Sequence, residues 1–367
     1  MLPRLEPRRE IARGVTWVTP LIALALTVAS GFVLFTAMGH DPLAALYHFF
    51  VSPVLSLYGL AELAIKATPL VLIGVGLAIG FRAGVWNIGA EGQLTVGAIA
   101  GGGIALWAWE QDRAWVLPAM CFAGILGGMA YAAIPAFLKT RFDVNEILTS
   151  LMLTYVATLL LSLLVYGPWK DPEGYGFPES RMFAPAASLP TILAGTRLHL
   201  GALIALLVAL AGWVLMSRTI IGFQVKVVGQ APAAARFAGF SRERMIWFCL
   251  LTSGGLAGLA GLFEVAGPIG QLVPVISPGY GFTAIIVAFL GRLHPLGVLL
   301  AGLVMALSYL GGENAQIAVG LPQAVTGVFQ GMLLFFLLAC DVLIRYRIRF
   351  GARQPARQAV PREVPAA

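Results

Sequence analysis

Long apolar runs alternate with short polar interruptions along this chain, and most runs approach the ~20 residues a helix needs to cross a bilayer. The runs cover residues 15–38, 57–80, 91–109, 114–138, 147–166, 199–216, 246–266, 282–290, 296–310 and 325–344. This pattern predicts an all-α fold, a polytopic transmembrane helical bundle of about ten spans. Residues 40–56 are semi-polar and aromatic, as suits an outer interface. Residues 267–281 hold Pro268, Pro274 and Pro278 among glycines and read as a broken or re-entrant segment leading into the short run 282–290. Residues 311–316 read as an outer polar turn.

Composition sharpens the class. Hydrophobic residues make up 59% of the chain and charged ones 11%, about half the charged share of a soluble domain. The net charge of +7 would suit nucleic acid. Its carriers instead sit in short loops and tails, so the expected surroundings are a lipid bilayer and no nucleic acid. Arg82, Lys139, Arg141, Arg218, Lys226, Arg242, Arg244, Arg345 and Arg347 mark the cytoplasmic side. Both termini are then cytoplasmic. Residues 1–14 form an N-terminal tail, 15–350 the transmembrane domain and 351–367 a disordered tail. Loop 217–245 is cytoplasmic, and the proline-rich loop 167–198 is external. Cys121, Cys249 and Cys340 have no metal spacing and read as small core hydrophobes.

Catalytic constellations are missing. The chain has no H-E-x-x-H, no G-x-S-x-G and no G-x-x-x-x-G-K-[ST], and its four histidines stand alone in sequence. No catalytic residue, metal site or bound cofactor is expected. Energy from ATP would need a separate ATPase.

Two polar stretches stand out. In 80–93, Arg82, Asn87, Glu91 and Gln93 sit among glycines between apolar runs, which reads as an interior turn or broken helix. Asn87 can cap the next helix and Glu91 suits its positive end. Alternatively Asn87, Glu91 and Gln93 line a solute path. Asn145 and Glu146 carry the same two readings, and Glu264 either faces the path or reaches the outer interface. Glu62 and Lys66, four apart, can pair on one helix face.

In the second stretch, Gly229, Pro232, Ala234, Ala235, Arg236, Phe237 and Gly239 give helix start and stop punctuation. They predict a two-turn helix with Arg236 and Phe237 exposed. It reads as a peg for a partner's groove or as a solvated loop helix.

The run Gly84-Val85-Trp86-Asn87-Ile88-Gly89-Ala90-Glu91-Gly92-Gln93 resembles the signature of permease subunits of nucleoside-type ABC importers. These fall in the simple-sugar (ribose/galactose) permease class of the branched-chain-type permease superfamily. Ala67-Thr68-Pro69-Leu70, residues 142–153 and residues 222–239 fit the same family. Gln230-Ala231 departs from it, since relatives commonly carry an acidic or polar residue followed by Asn.

The resemblance implies a type II ABC importer-like bundle in a bacterial inner (plasma) membrane. It implies a second permease subunit, homologous or identical, and ABC ATPase partners that bind the ATP. It also implies an extracytoplasmic substrate-binding protein. The helix around Ala234 becomes a coupling helix. The solutes implied are nucleosides or related purine and pyrimidine compounds, with simple sugars as the alternative. A reading from another class is a stand-alone secondary transporter using Glu62, Lys66, Glu91 and Glu264 as ion sites.

Overall fold

The computed structural model describes residues 4–7, 13–111, 113–322 and 324–349. The expected tail 351–367, and most of the tail 1–14, lie outside the described residues. The chain divides into a main unit, Gly31–Gln330, and a terminal unit, Met1–Ser30 with Gly331–Ala367.

The helices in order are α1 (Arg13–Ala37), α2 (Pro42–Leu46), α3 (Leu57–Arg82), α4 (Ala90–Trp107), α5 (Val116–Phe142), α6 (Glu146–Tyr166) and α7 (Leu200–Arg218). Then come α8 (Ile220–Gln230), α9 (Pro232–Phe237), α10 (Arg242–Glu264), α11 (Tyr280–Leu290), α12 (Pro295–Val319) and α13 (Ala324–Arg345). In the terminal unit, β1 (Arg4–Pro7) pairs antiparallel with β2 (Tyr346–Arg349). Among the described residues, six helices are long and apolar enough to cross a membrane: α3, α5, α6, α7, α10 with its extension to Ile269, and α12. The other four expected runs are occupied by α1, α4, α11 and α13.

The core of the main unit is α3, which α7, α10, α11 and α12 pack around. From Ala67 to Phe81 it is buried on every side, as expected of a helix apolar all round. A second focus lies where α4, α5 and α10 meet. A Cβ at Gly97 would collide with Gly258, and one at Gly258 would collide with the Gly124 carbonyl. Apolar surfaces gain nothing from leaving lipid, so close approach of small residues is what holds such helices together.

Several expectations change. The predicted turn at 311–316 is instead part of the C-terminal third of α12, which runs unbroken to Val319. Gly311 lies against the Phe49 carbonyl, and the segment 40–56 is packed on α12. It coils through α2 into a π-helical turn at Tyr47–Val51, with Phe49 buried. Loop 217–245 is mostly helix. Thr219 accepts from the Gly222 N–H at 3.2 Å and starts α8. Cys249 and Cys340 are buried and all three cysteines are free.

The Glu62–Lys66 pair does not form. Arg197 grips the Glu62 carboxylate with Nε at 2.9 Å and Nη2 at 2.7 Å, and Lys66 bonds to Glu313 at 2.8 Å. A two-pronged guanidinium satisfies both oxygens of a buried carboxylate, which one ammonium on the same helix cannot.

Candidate translocation site and coupling surface

Two helices begin inside the main unit rather than at its ends. After α3 stops at Arg82, residues 83–89 run without helix before α4 starts. After the π-helical turn Val265–Ile269, residues 270–279 are likewise irregular, with Gly270 and Gly279 at φ +80° and +98°, before α11 starts. With 11 residues, α11 extends roughly 16 Å, about half the hydrocarbon thickness. The two starts touch, since a Cβ at Gly281 would run into the backbone of Glu91.

Glu91 links them. Its Oε2 accepts from the Gly281 N–H at 2.6 Å, and the Ser277 side chain and Gly279 backbone lie within its hydrogen-bonding reach. A carboxylate from the first turn of α4 thus sits at the positive end of α11. Sequence reading placed Glu91 at the start of its own helix. The structure adds that it serves a second one.

Asn87 and Gln93 face each other. Asn87 Nδ2 donates to Gln93 Oε1 at 2.7 Å and to Ser253 Oγ at 3.0 Å. Asn87 Oδ1 accepts from Gln93 Nε2 and from the Gly89 N–H, both at 3.1 Å. Both side chains are buried. The α4 N-cap position belongs to Gly89, so Asn87 closes the turn ahead of the helix. Ser150 of α6 ties the turn from another side, with its Oγ accepting from the Ile88 N–H at 3.3 Å. Trp86 stacks with Phe81, centroids 4.8 Å apart, and with Phe289 at 6.1 Å.

Beyond Glu91, Tyr280 lies among Glu91, Glu264, Tyr309 and Glu313. Glu264 therefore joins the neighbourhood of Glu91. Asn145 and Glu146 do not. Asn145 is exposed and caps α6, accepting from the Ile147 N–H at 2.9 Å, and Glu146 pairs with Lys139 at 3.4 Å. Lys139 also bonds the exposed Asp143 and holds its carboxyl below the usual range.

Loop 167–198 is pinned over the irregular segment. Ser180 N donates to Leu272 O at 2.9 Å, Phe183 N to Gly270 O at 2.8 Å and Leu189 N to Ala266 O at 2.8 Å. His199 caps α7 through Nδ1, which accepts from the Gly201 N–H at 3.2 Å. Burial lowers its pKa to about 4, against the opposing pull of Glu62. Neutral imidazole is the form that can accept that bond.

At the other side of the main unit, α9 stands out. Pro232 occupies its first turn, Ala235 is buried, and Ala234 and Arg236 are exposed. Phe237 is 94% exposed. Gly239, at φ +76°, ends it, with its N–H bonding Arg236 O at 3.1 Å and the Phe240 N–H bonding Ala235 O at 3.0 Å. A hollow of about 590 Å³ beside it is lined by Val228, Pro232, Arg236, Phe240 and Arg242. Gly229 lies against the Arg82 carbonyl, where no side chain would fit. The end of α8, which leads through Ala231 into α9, is thereby seated on the end of α3, next to the turn that Asn87 closes.

Sequence reasoning missed Ser253, Arg197, Tyr280 and Tyr309. The partners lie far apart in the chain, and an aromatic after Gly279 at the head of a short apolar run was the available hint for Tyr280.

A sequence profile for the branched-chain amino acid transport system / permease component matches residues 59–338. The chain is 39% identical to a glucose ABC transporter permease protein of Haloferax volcanii, over 94% of this chain and 93% of the relative. It is 31% identical to a guanosine ABC transporter permease protein of Bacillus subtilis, over 90% and 94%. A nucleoside ABC transporter permease protein of Lactococcus lactis subsp. cremoris is 26% identical, over 87% and 89%. The match spans the broken helices, the pinned loop 167–198 and the exposed helix α9 alike, and the chain belongs to the family of branched-chain amino acid transport system permease components.

Proposed function

We propose that this chain is the membrane-spanning subunit of an ATP-driven ABC importer for nucleosides or related purine and pyrimidine compounds. The observation that carries the reading is the exposed helix α9, which follows directly on α8, itself seated through Gly229 on the end of α3. ATP-driven closure of a partner ATPase pushes this peg, and the push reaches the turn at Asn87 and the paired helix starts at Glu91 and Gly281. Rigid elements with two arrangements can convert such a push into alternating access. ATP resides on the ATPase partners, and this chain carries no cofactor and no catalytic group of its own. A second permease subunit completes the path, and an extracytoplasmic binding protein delivers solute to the pinned loop 167–198. Both termini face the cytoplasm.

The guanosine and nucleoside relatives favour the nucleoside reading. The higher identity to a glucose permease protein favours a second reading, a hexose importer. The test of coupling is Ala234→Asp with Arg236→Asp in the assembled transporter. Transport is expected to fall at least tenfold while the bundle keeps its melting temperature, because both side chains face solvent. Wild-type coupling in that variant would refute the peg.

A further inference from the structure

The polar groups around the start of α11 exceed what closing a helix break needs. Thr283 and Tyr309, both buried, share a hydroxyl–hydroxyl bond of 2.7 Å. Tyr280 meets Tyr309 edge-on, with centroids 5.4 Å apart and planes at 76°. Gln330 of α13 lies within hydrogen-bonding reach of the Tyr309 hydroxyl, but its Nε2, sealed from solvent, makes no well-formed hydrogen bond. A sealed donor without a well-formed bond is uncommon in native proteins and needs an explanation. Four side chains from three helices converge here beside Glu91. Near Tyr280, Lys66 and Glu313 pair, with side chains 20% and 52% exposed.

We propose that Tyr280, Thr283, Tyr309 and Gln330 form a subsite on the transport path that recognises the ring hydroxyls of a sugar moiety. That moiety is either the ribose of a nucleoside or a free hexose, and the inference rests on the importer reading. The chemistry is complementary. The Gln330 amide donates to a ring hydroxyl oxygen, and the Thr283 and Tyr309 hydroxyls both give and accept. The Tyr280 ring offers an apolar face to the C–H side of the sugar. Few, well-placed polar groups in an apolar lining are the usual makeup of a small-solute site. A subsite of this kind serves both solute classes, since what it reads is the hydroxylated ring and not the base.

The test uses the full transporter, with its ATPase, partner permease and binding protein, in proteoliposomes. ATP-driven uptake is measured for guanosine and its 2′-deoxy and 3′-deoxy counterparts, and for glucose and 2-deoxyglucose. The wild-type preference between guanosine and glucose separates the two sources of the sugar ring. Gln330→Met and Tyr309→Phe each remove one polar function at nearly constant volume. Each is expected to cut uptake of the hydroxylated solute about tenfold, the worth of one good hydrogen bond. At least one deoxy analogue should fall no more than about twofold, narrowing the wild-type preference. Recovery of the assembled complex at its normal melting temperature checks folding for each variant. An equal loss across all analogues, or no loss, overturns the subsite. A wild-type complex with no ATP-driven uptake of any solute overturns the importer reading and the subsite with it.

Discussion

Replacing Asn87 with leucine removes the amide that closes the turn between α3 and α4. The native side chain takes part in four hydrogen bonds: to both polar atoms of Gln93, to Ser253 and to the Gly89 N–H. Ser253 can rotate its hydroxyl toward its own helix. Gln93 and the Gly89 N–H have no such exit, since both lie in the interior. An abandoned buried polar group costs about 1–3 kcal/mol, so these groups together cost about 4 kcal/mol. Burying a leucine side chain returns about 1–2 kcal/mol of that. The net expectation is a loss of about 2–3 kcal/mol, or a melting temperature lower by roughly 4–8 °C. The assay is a thermal melt in detergent read by a thiol-reactive dye, because the free thiol of Cys249 is 1% exposed and reports opening of α10. Adding Gln93→Leu removes the stranded partner and should restore part of the loss. A melting temperature within about 1 °C of wild type for Asn87→Leu would show that the amide ring does not hold the turn.

Other consequences follow from the end of the bundle that holds Arg197 and His199. Arg197→Met strands Glu62, which is 5% exposed. Because the Arg197 side chain is itself 58% exposed, the loss should be about 1–2 kcal/mol rather than the full cost of a buried pair. Glu62→Gln in the same chain should recover part of it, read by the same melt. His199 gives a pH signature. Its folded pKa of about 4 lies below the ordinary imidazole value of ~6.5. The stability tied to its neutral form is therefore complete above ~6.5 and is lost as pH falls through about 4. His199→Asn keeps an acceptor for the Gly201 N–H and cannot titrate. It should flatten that part of the melting profile between pH 7 and 4, and an unchanged profile would contradict the assignment.

Much of this architecture was readable because a membrane-spanning helix announces itself by length. The runs at 57–80, 147–166 and 325–344 became α3, α6 and α13 with ends moved by a few residues. The Pro/Gly segment 267–281 was readable as a break, since a backbone that cannot stay helical in a bilayer must be covered by protein. The punctuation of Pro232 and Gly239 gave α9 nearly to the residue. Other features depended on contacts that no local pattern encodes. Gly311, Gly312, Glu313 and Asn314 look like a turn, yet Phe49 packs against the glycine and Lys66 neutralises the acid, so the helix continues. Glu62 and Lys66 have the right spacing to pair, and lose to Arg197 and Glu313, which lie far along the chain. Glu91 was legible as a helix-start acid, while its bond to Gly281, 190 residues away, was not.

The account stands or falls on whether this chain works with an ATPase. The most direct measurement is gentle purification of the tagged chain from its native membrane, with mass spectrometry of the subunits that accompany it. The account predicts an ABC ATPase and a second permease in the same particle. A homo-oligomer that carries no ATPase, and whose solute uptake persists without ATP, would contradict it.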